Sequence, residues 1–254
     1  MQRLKLTIAY VGSRFHGWQI QATPGKPHPR TVQQVLEKAA AHILGRAVHV
    51  HGAGRTDSGV HADAQCAHMD VPEEKANFNW RRALNSLLPD DVSVLAVEPA
   101  PPGFHAQHSA VKKLYTYRLW LPREYVLPAW RPFVWTCGPV DLAAMEAAAC
   151  HMTGMHDFAS FQNQGTDVQT TVRTVYGIRS CSEPGVPQEL LVAWQFEADG
   201  FLKQMVRNLM GLLVAVGRGK ISADRVAYVL ESRNRAHAGV TAPAHGLTLT
   251  RVSY

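Results

Sequence analysis

At 254 residues the chain can bury a substantial core, as one large domain or two of ordinary size. Its 46% hydrophobic and 18% charged residues exclude a disordered or fibrous protein. Lys and Arg number 26 against 20 Asp and Glu, a net charge of +6 that fits a polyanionic partner without requiring one. The four cysteines form no C-x-x-C pair, the first residues lack a signal-peptide apolar region, and no apolar run reaches the length of a membrane span. A cytoplasmic protein with reduced thiols and no membrane partner is expected.

Leu4 to Tyr10 alternates as a strand does, and Val11 to Arg30, rich in Gly, Pro and His, reads as a long loop. Thr31 opens a helix. Thr31 and Gln34 form a capping box, Val32, Val35, Leu36, Ala39, Ala40 and Ile43 make an apolar stripe, and Gly45 stands where a left-handed cap would close it. A short strand over Val48 to His51 leads into a Gly-rich loop. Strands over Val60 to Val71 and Val92 to Val97 enclose a helix over Asn79 to Leu88, ended by Pro89. The order is β-α-β-β-α-β, a ferredoxin-like pattern.

The second half repeats it. A strand spans Ala110 to Leu121, and a helix spans Leu142 to Met152, capped by Asp141 and stopped by Gly154. Strands over Val172 to Cys181 and Glu189 to Ala198 follow. Helices over Leu202 to Val216 and Ala223 to Glu231, the second capped by Ser222, precede a closing strand over Leu247 to Tyr254. The expected fold is therefore α+β: two βαββαβ halves, residues 1–105 and 106–254, whose sheets could join and leave a cleft between them.

Asp57 stands in the loop Gly52 to Gly59, between Thr56 and Ser58, whose hydroxyls could fix a carboxylate. Glycines at 52, 54 and 59 would allow positive φ and close approach to a ligand. An ordinary turn, with Asp57 bonding its own backbone, fits the loop equally well. The loop is no phosphate loop, since G-x-x-x-x-G-K-[ST] is absent. Asp57-Ser58-Gly59 resembles the D-[ST]-G of aspartic proteases, but no second copy supplies the paired carboxylate. His51, His61, Cys66 and His68 lie close in sequence, yet on a strand Cys66 and His68 face away from His61, so no metal site is expected.

Lys112 to Arg118 interleaves cations with Tyr115 and Tyr117, a face able to stack a base, or else a half-buried tyrosine pair under a basic edge. On the helix over 202–216, Arg207 lies opposite the apolar face with Gly211 and Ala215 nearby. Close approach by another element would explain these small residues, and Arg207 would then face a specific anion; a plain surface arginine is the alternative.

Together these segments resemble the tRNA pseudouridine synthase A family along nearly the whole chain. Tyr10 to Gln21 is similar to its Y-D-G-x-x-F-x-G-W-Q-x-Q, with Val11 in place of Asp. Gly54 to Ala62 (G-R-T-D-S-G-V-H-A) matches its active-site motif throughout, and Asn85 to Pro89 resembles N-x-x-L-P. Phe104 to Ala110 is similar to F-H-A-R-x-S-A, with Gln107 in place of Arg, and leads into Lys113 to Tyr117. Gly154 to Phe161, Phe201 to Asn208 and Pro243 to Leu247 follow in order.

The resemblance implies two ferredoxin-like halves forming a continuous, mostly antiparallel sheet, with helices packed on one face and a central active-site cleft. It implies a homodimer that grips the anticodon arm of tRNA and isomerises uridines 38, 39 and 40 without cofactor or metal. By the same resemblance Asp57 is the catalytic nucleophile and Arg207 its pairing cation. Tyr115 stacks on the flipped uracil, Arg55 fills the vacated space, and Leu247 is a substrate-binding residue. A non-catalytic RNA-binding protein is the alternative, weakened by the missing RNP signature. A metal-dependent hydrolase ranks third.

Overall fold

The computed structural model describes residues 1–21, 29–165 and 168–254. They form two compact units, Met1–Val111 with Leu249–Tyr254, and Lys112–Thr248. The expected loop over Val11 to Arg30 lies partly outside the described residues.

The first unit runs β1 (Gln2–Tyr10), α1 (Val32–Leu44), β2 (His51–Gly52), β3 (His61–Val71), α2 (Trp80–Asn85) and β4 (Val92–Pro99), the expected order. β1 buries Leu4, Leu6, Ile8 and Tyr10 and leaves the residues between them part-exposed, the period-two pattern of a strand with one face on a core. It pairs antiparallel with both β3 and β4. α1 begins as its sequence demands: Thr31 Oγ1 accepts the Gln34 N–H at 3.3 Å, and Gly45 ends the helix at φ +68°.

Two boundaries differ from expectation, and at the first a side chain captures main-chain groups that a ladder would have used. The strand expected over Val48 to His51 is only His51–Gly52. Val50 N–H instead donates to Glu37 Oε1 at 3.0 Å, and Val50 C=O accepts Gln33 Nε2 at 3.2 Å, so α1 holds this segment. α2 stops at Asn85 rather than Leu88. The Asn85 amide bonds both main-chain groups of Val94 in β4, at 2.8 and 2.9 Å.

The second unit comprises β5 (Lys112–Trp120), β6 (Trp135–Thr136), α3 (Leu142–Cys150), β7 (Gly154–Asp157), β8 (Val172–Ser182), β9 (Leu191–Ala198), α4 (Met205–Gly217) and α5 (Arg225–Glu231). The closing strand β10 (Leu247–Ser253) has its residues from Leu249 onward in the first unit. β9 pairs antiparallel with β5 and β8, β8 with β7, while the short β6 runs parallel to β5. β6 and β7 were not expected; two and four residues long, they carry too little periodicity to be read. Both units are of mixed α and β composition. Among the described residues no helix is long and apolar enough to cross a membrane.

α4 starts at Met205, not Leu202, because Gln204 sits in the left-handed region at φ +60° and cannot continue a helix. It is buried nearly all round rather than along one stripe, and even Asn208 is fully buried. Ser222 does not cap α5 by its side chain; its carbonyl accepts the Arg225 N–H at 3.1 Å.

Candidate active site

The expected site residues divide between the units, with Arg55 and Asp57 in the first and Tyr115, Arg207 and Leu247 in the second. The Asp57 loop is a turn made by the main chain: Asp57 C=O accepts Val60 N–H at 3.1 Å, and Gly59 takes the positive φ (+83°) that a type II turn needs at its third position. Of the three glycines expected to use positive φ, only Gly59 does. Gly52 serves close approach instead, since a Cβ there would lie 2.5 Å from the Trp18 ring.

The loop is strapped to the segment after β1. Trp18 N–H donates to Thr56 C=O at 3.1 Å, while Ser58 Oγ and Gly59 N–H both donate to Phe15 C=O, at 3.2 and 3.3 Å. Beneath it, Tyr10 Oη and Thr56 Oγ1 share a buried hydrogen bond of 2.8 Å, and buried Gln65 donates Nε2 to Gly54 C=O at 2.9 Å. Burial pushes the Tyr10 phenol well above its ordinary pKa, so it stays neutral. Asp57 is half-buried and Arg55 exposed on this rigid base. From sequence Tyr10 reads as the end of a strand and the start of a motif and Gln65 as an ordinary strand residue, because nothing local marks a strand side chain as a support for a distant loop.

In the second unit, Tyr115 is buried on β5 and meets Phe201 edge-on, ring centroids 5.2 Å apart. Tyr117, two residues along the same face, donates to Pro243 C=O at 2.7 Å, which brings the segment ending in buried Leu247 against β5. Arg207 has the close neighbour that the small residues of its helix implied. Its Nε donates to Ala242 C=O at 2.8 Å, and Ala242 N–H donates back to Arg207 C=O at 3.0 Å. The Arg207 charge reaches Tyr117, partly opposing the burial that raises that phenol's pKa, and helps hold His245 below its usual value. Tyr115, Tyr117, Arg207 and residues 242–247 thus form one aromatic and cationic neighbourhood. Phe201 and Asn208 belong to it and were legible only as part of a motif.

A second cluster was not expected. His51, His68 and His105 place one ring nitrogen each within 4.8 Å of one another, whereas His61 turns away to accept Gly12 N–H at its Nδ1. His51 and His68 stack at 4.7 Å. The hydrogen bonds decide against a metal. His68 Nδ1 accepts Ala106 N–H at 3.1 Å, and His105 Nδ1 accepts the N–H groups of Gln107 and His108 at 3.2 and 3.3 Å. Both rings therefore carry their proton on Nε2, whereas a metal-binding imidazole gives its other N–H to an acceptor. Gln107, at the site of the usual arginine, shapes this turn through its main chain.

Burial, assisted by Arg3 and the neighbouring imidazoles, pushes the His68 pKa down to about 4, and those of His51 and His105 downward as well. With the folded value below an unfolded value of about 6.5, the neutral ring favours folding. Its contribution is complete above the unfolded value and is lost as pH falls through the interval down to the folded value. His68→Asn, whose Oδ1 can still accept Ala106 N–H, should flatten the fall in Tm between about pH 7 and pH 4.5. A slope equal to that of the wild type in thermal melts would refute the role of His68.

Sequence comparison places these features among known proteins. A family described as tRNA pseudouridine synthase matches residues 6–109 and 148–254. The chain is 56% identical over 277 residues to tRNA pseudouridine synthase A of Nitratidesulfovibrio vulgaris strain Miyazaki F, covering 100% of both chains. It is 57% identical over 271 residues to the protein of that name from Oleidesulfovibrio alaskensis, covering 100% of this chain and 97% of the relative. With that from Burkholderia thailandensis identity is 40% over 259 residues, covering 99% and 90%.

Proposed function

The chain belongs to the tRNA pseudouridine synthase family, and we propose that it isomerises uridines 38, 39 and 40 in the anticodon stem-loop of tRNA, with Asp57 as the nucleophile. As a member of that family it is an isomerase. The observation that carries the Asp57 assignment is the construction of its loop: Thr56, Ser58 and Gly59 are tied down by main-chain partners, and the turn is closed by the Asp57 carbonyl. The turn is closed and anchored through main-chain groups, so residue 57 is presented from a fixed base.

The reaction breaks the bond between N1 of uracil and C1′ of ribose, rotates the base and forms a bond from C5 to C1′. A proton leaves C5 and N1 gains one, so no oxidant or reductant is needed. A carboxylate suits it as a nucleophile that holds one fragment while the base turns. The target uridine must leave the stack, at a cost of a few kcal/mol. Tyr115 is assigned to stack on the flipped uracil, Leu247 to contact it and exposed Arg55 to fill the vacated space. By the same family likeness Arg207 is assigned as the pairing cation of Asp57. The same family likeness supports action as a homodimer.

The test is tritium release from tRNA labelled at C5 of uracil, followed by mapping of the product. Label should leave in proportion to pseudouridine at positions 38, 39 and 40. Binding without release would establish an RNA-binding protein instead, and release from other positions would overturn the target assignment.

A further inference from the structure

We propose that Arg235 is a positioning residue for this reaction: it fixes the orientation of Arg207 through the segment 239–242, and so governs the chemical step more than tRNA binding. The inference rests on the role given to Arg207 above.

Arg235 opens a short 3-10 turn after α5 and is half-buried. Its Nε donates to Asn163 Oδ1 at 2.8 Å and its Nη1 to Gly239 C=O at 2.7 Å. Its Nη2 donates to Asn208 Oδ1 at 2.9 Å and to Thr241 Oγ1 at 2.7 Å. All four acceptors are neutral, and among the described residues no carboxylate pairs with it. Burial without a counter-charge lowers the Arg235 pKa. A surface arginine would leave such a guanidinium in water. Here the fork is spent on joining three chain segments that are distant in sequence.

Two arms run from this hub. One passes through Thr241, which also donates to Asn208 Oδ1 at 2.7 Å, to the adjacent Ala242. Ala242 braces Arg207 twice, at its carbonyl and at Nε. With Nε committed, the direction of the remaining guanidinium edge follows from where residues 239–242 are held. The other arm passes through Asn163, whose amide donates to Gln204 Oε1 and whose N–H donates to Lys203 C=O at 3.1 Å. That arm holds the left-handed residue before α4, close in sequence to Phe201 and its edge-on contact with Tyr115. Asn208 closes the hub from within α4, donating Nδ2 to Phe161 C=O at 2.7 Å and Asn163 Oδ1 at 3.0 Å. One guanidinium thus sets the placement of Arg207 and of the aromatic partner of Tyr115.

The test compares Arg235→Gln, Arg235→Lys and Thr241→Val with the wild type by single-turnover pseudouridine formation, tRNA Kd and thermal melting. A lysine keeps the charge but cannot reach acceptors on three segments, so it should not rescue. Both Arg235 variants should slow the single-turnover rate on the order of 100-fold, as misplacement of a reacting group does, with Kd changed only a few-fold. Thr241→Val, which keeps its shape and breaks one link, should slow it on the order of 10-fold and serves alone if the Arg235 variants do not fold. Arg207→Lys combined with Arg235→Gln should be no slower than Arg207→Lys alone, because both act through one group.

Folded Arg235 and Thr241 variants with rates within about threefold of wild type, or losses that multiply in the double variant, would overturn the positioning role. If Arg207→Lys is slow while the Arg235 variants are fast, only the positioning role fails. If Arg207→Lys itself reacts at the wild-type rate, the role of Arg207 fails and this inference fails with it.

Discussion

Asp57→Asn is expected to bind tRNA at least as tightly as the wild type while pseudouridine formation falls on the order of 10⁴-fold, the scale on which loss of a covalent nucleophile is felt. The substitution keeps the size of the side chain and removes its charge. The turn is closed by the residue 57 carbonyl, and Thr56, Ser58 and Gly59 keep their main-chain partners, so the loop should retain its shape. Removing a negative charge from a protein that binds a polyanion can only ease association. Filter binding and single-turnover kinetics on the same tRNA separate the two effects. A rate within about tenfold of wild type, barely 1.4 kcal/mol in the barrier, would rule out Asp57 as the nucleophile. Loss of binding together with rate would instead make Asp57 a structural residue of the loop.

Gly211→Ala should lower Tm by several degrees, although helix propensity alone predicts the opposite. In a helix interior alanine is favoured over glycine by about 1 kcal/mol. Gly211 lies within α4, however, and a Cβ there would stand 1.9 Å from Val240 C=O. Main chain faces main chain, so no rotamer relieves the clash. Either α4 or residues 239–242 must move, an overpacking cost of typically 1–3 kcal/mol. The movement also stretches the two Arg207–Ala242 hydrogen bonds, each worth about 0.5–1.5 kcal/mol. The sum exceeds the propensity gain by about 2 kcal/mol, and a chain of this size loses roughly 2–4 °C of Tm per kcal/mol. Turnover should fall as well, because Arg207 loses its brace. A variant that melts higher than wild type would show that helix and segment are not in contact.

Much of the fold was legible wherever a residue's environment is local. Thr31 and Asp141 cap helices because the groups they satisfy lie three residues away. β1 alternates because one of its faces is buried along its whole length. The limits lay where distant side chains take over main-chain groups. Gln33 and Glu37 of α1 hold Val50, so the expected strand shortened, and the Asn85 amide at the end of α2 bonds the main chain of β4. A histidine cluster escaped notice because His105 reaches it from a loop some 37 residues beyond His68, and parity along one strand cannot find a neighbour on a distant loop.

The sequence by itself determined the alternation of strands and helices, the caps of α1 and α3, and the ordered motifs that carry the family and point to Asp57, Tyr115 and Arg207. These depend on periodicity, on contacts a few residues long and on residue identity, all of which a linear chain displays. The tertiary structure alone decided what surrounds those residues: the strap of residues 12–18 along the Asp57 loop, the Tyr10–Thr56 and Gln65–Gly54 supports, the bracing of Arg207 by Ala242, and the bond from Arg235 to the neighbouring Thr241. The physical reason is that a hydrogen bond is satisfied by whatever lies within about 3 Å. For a buried side chain that neighbour is set by how the elements pack, and the order of residues does not reveal it.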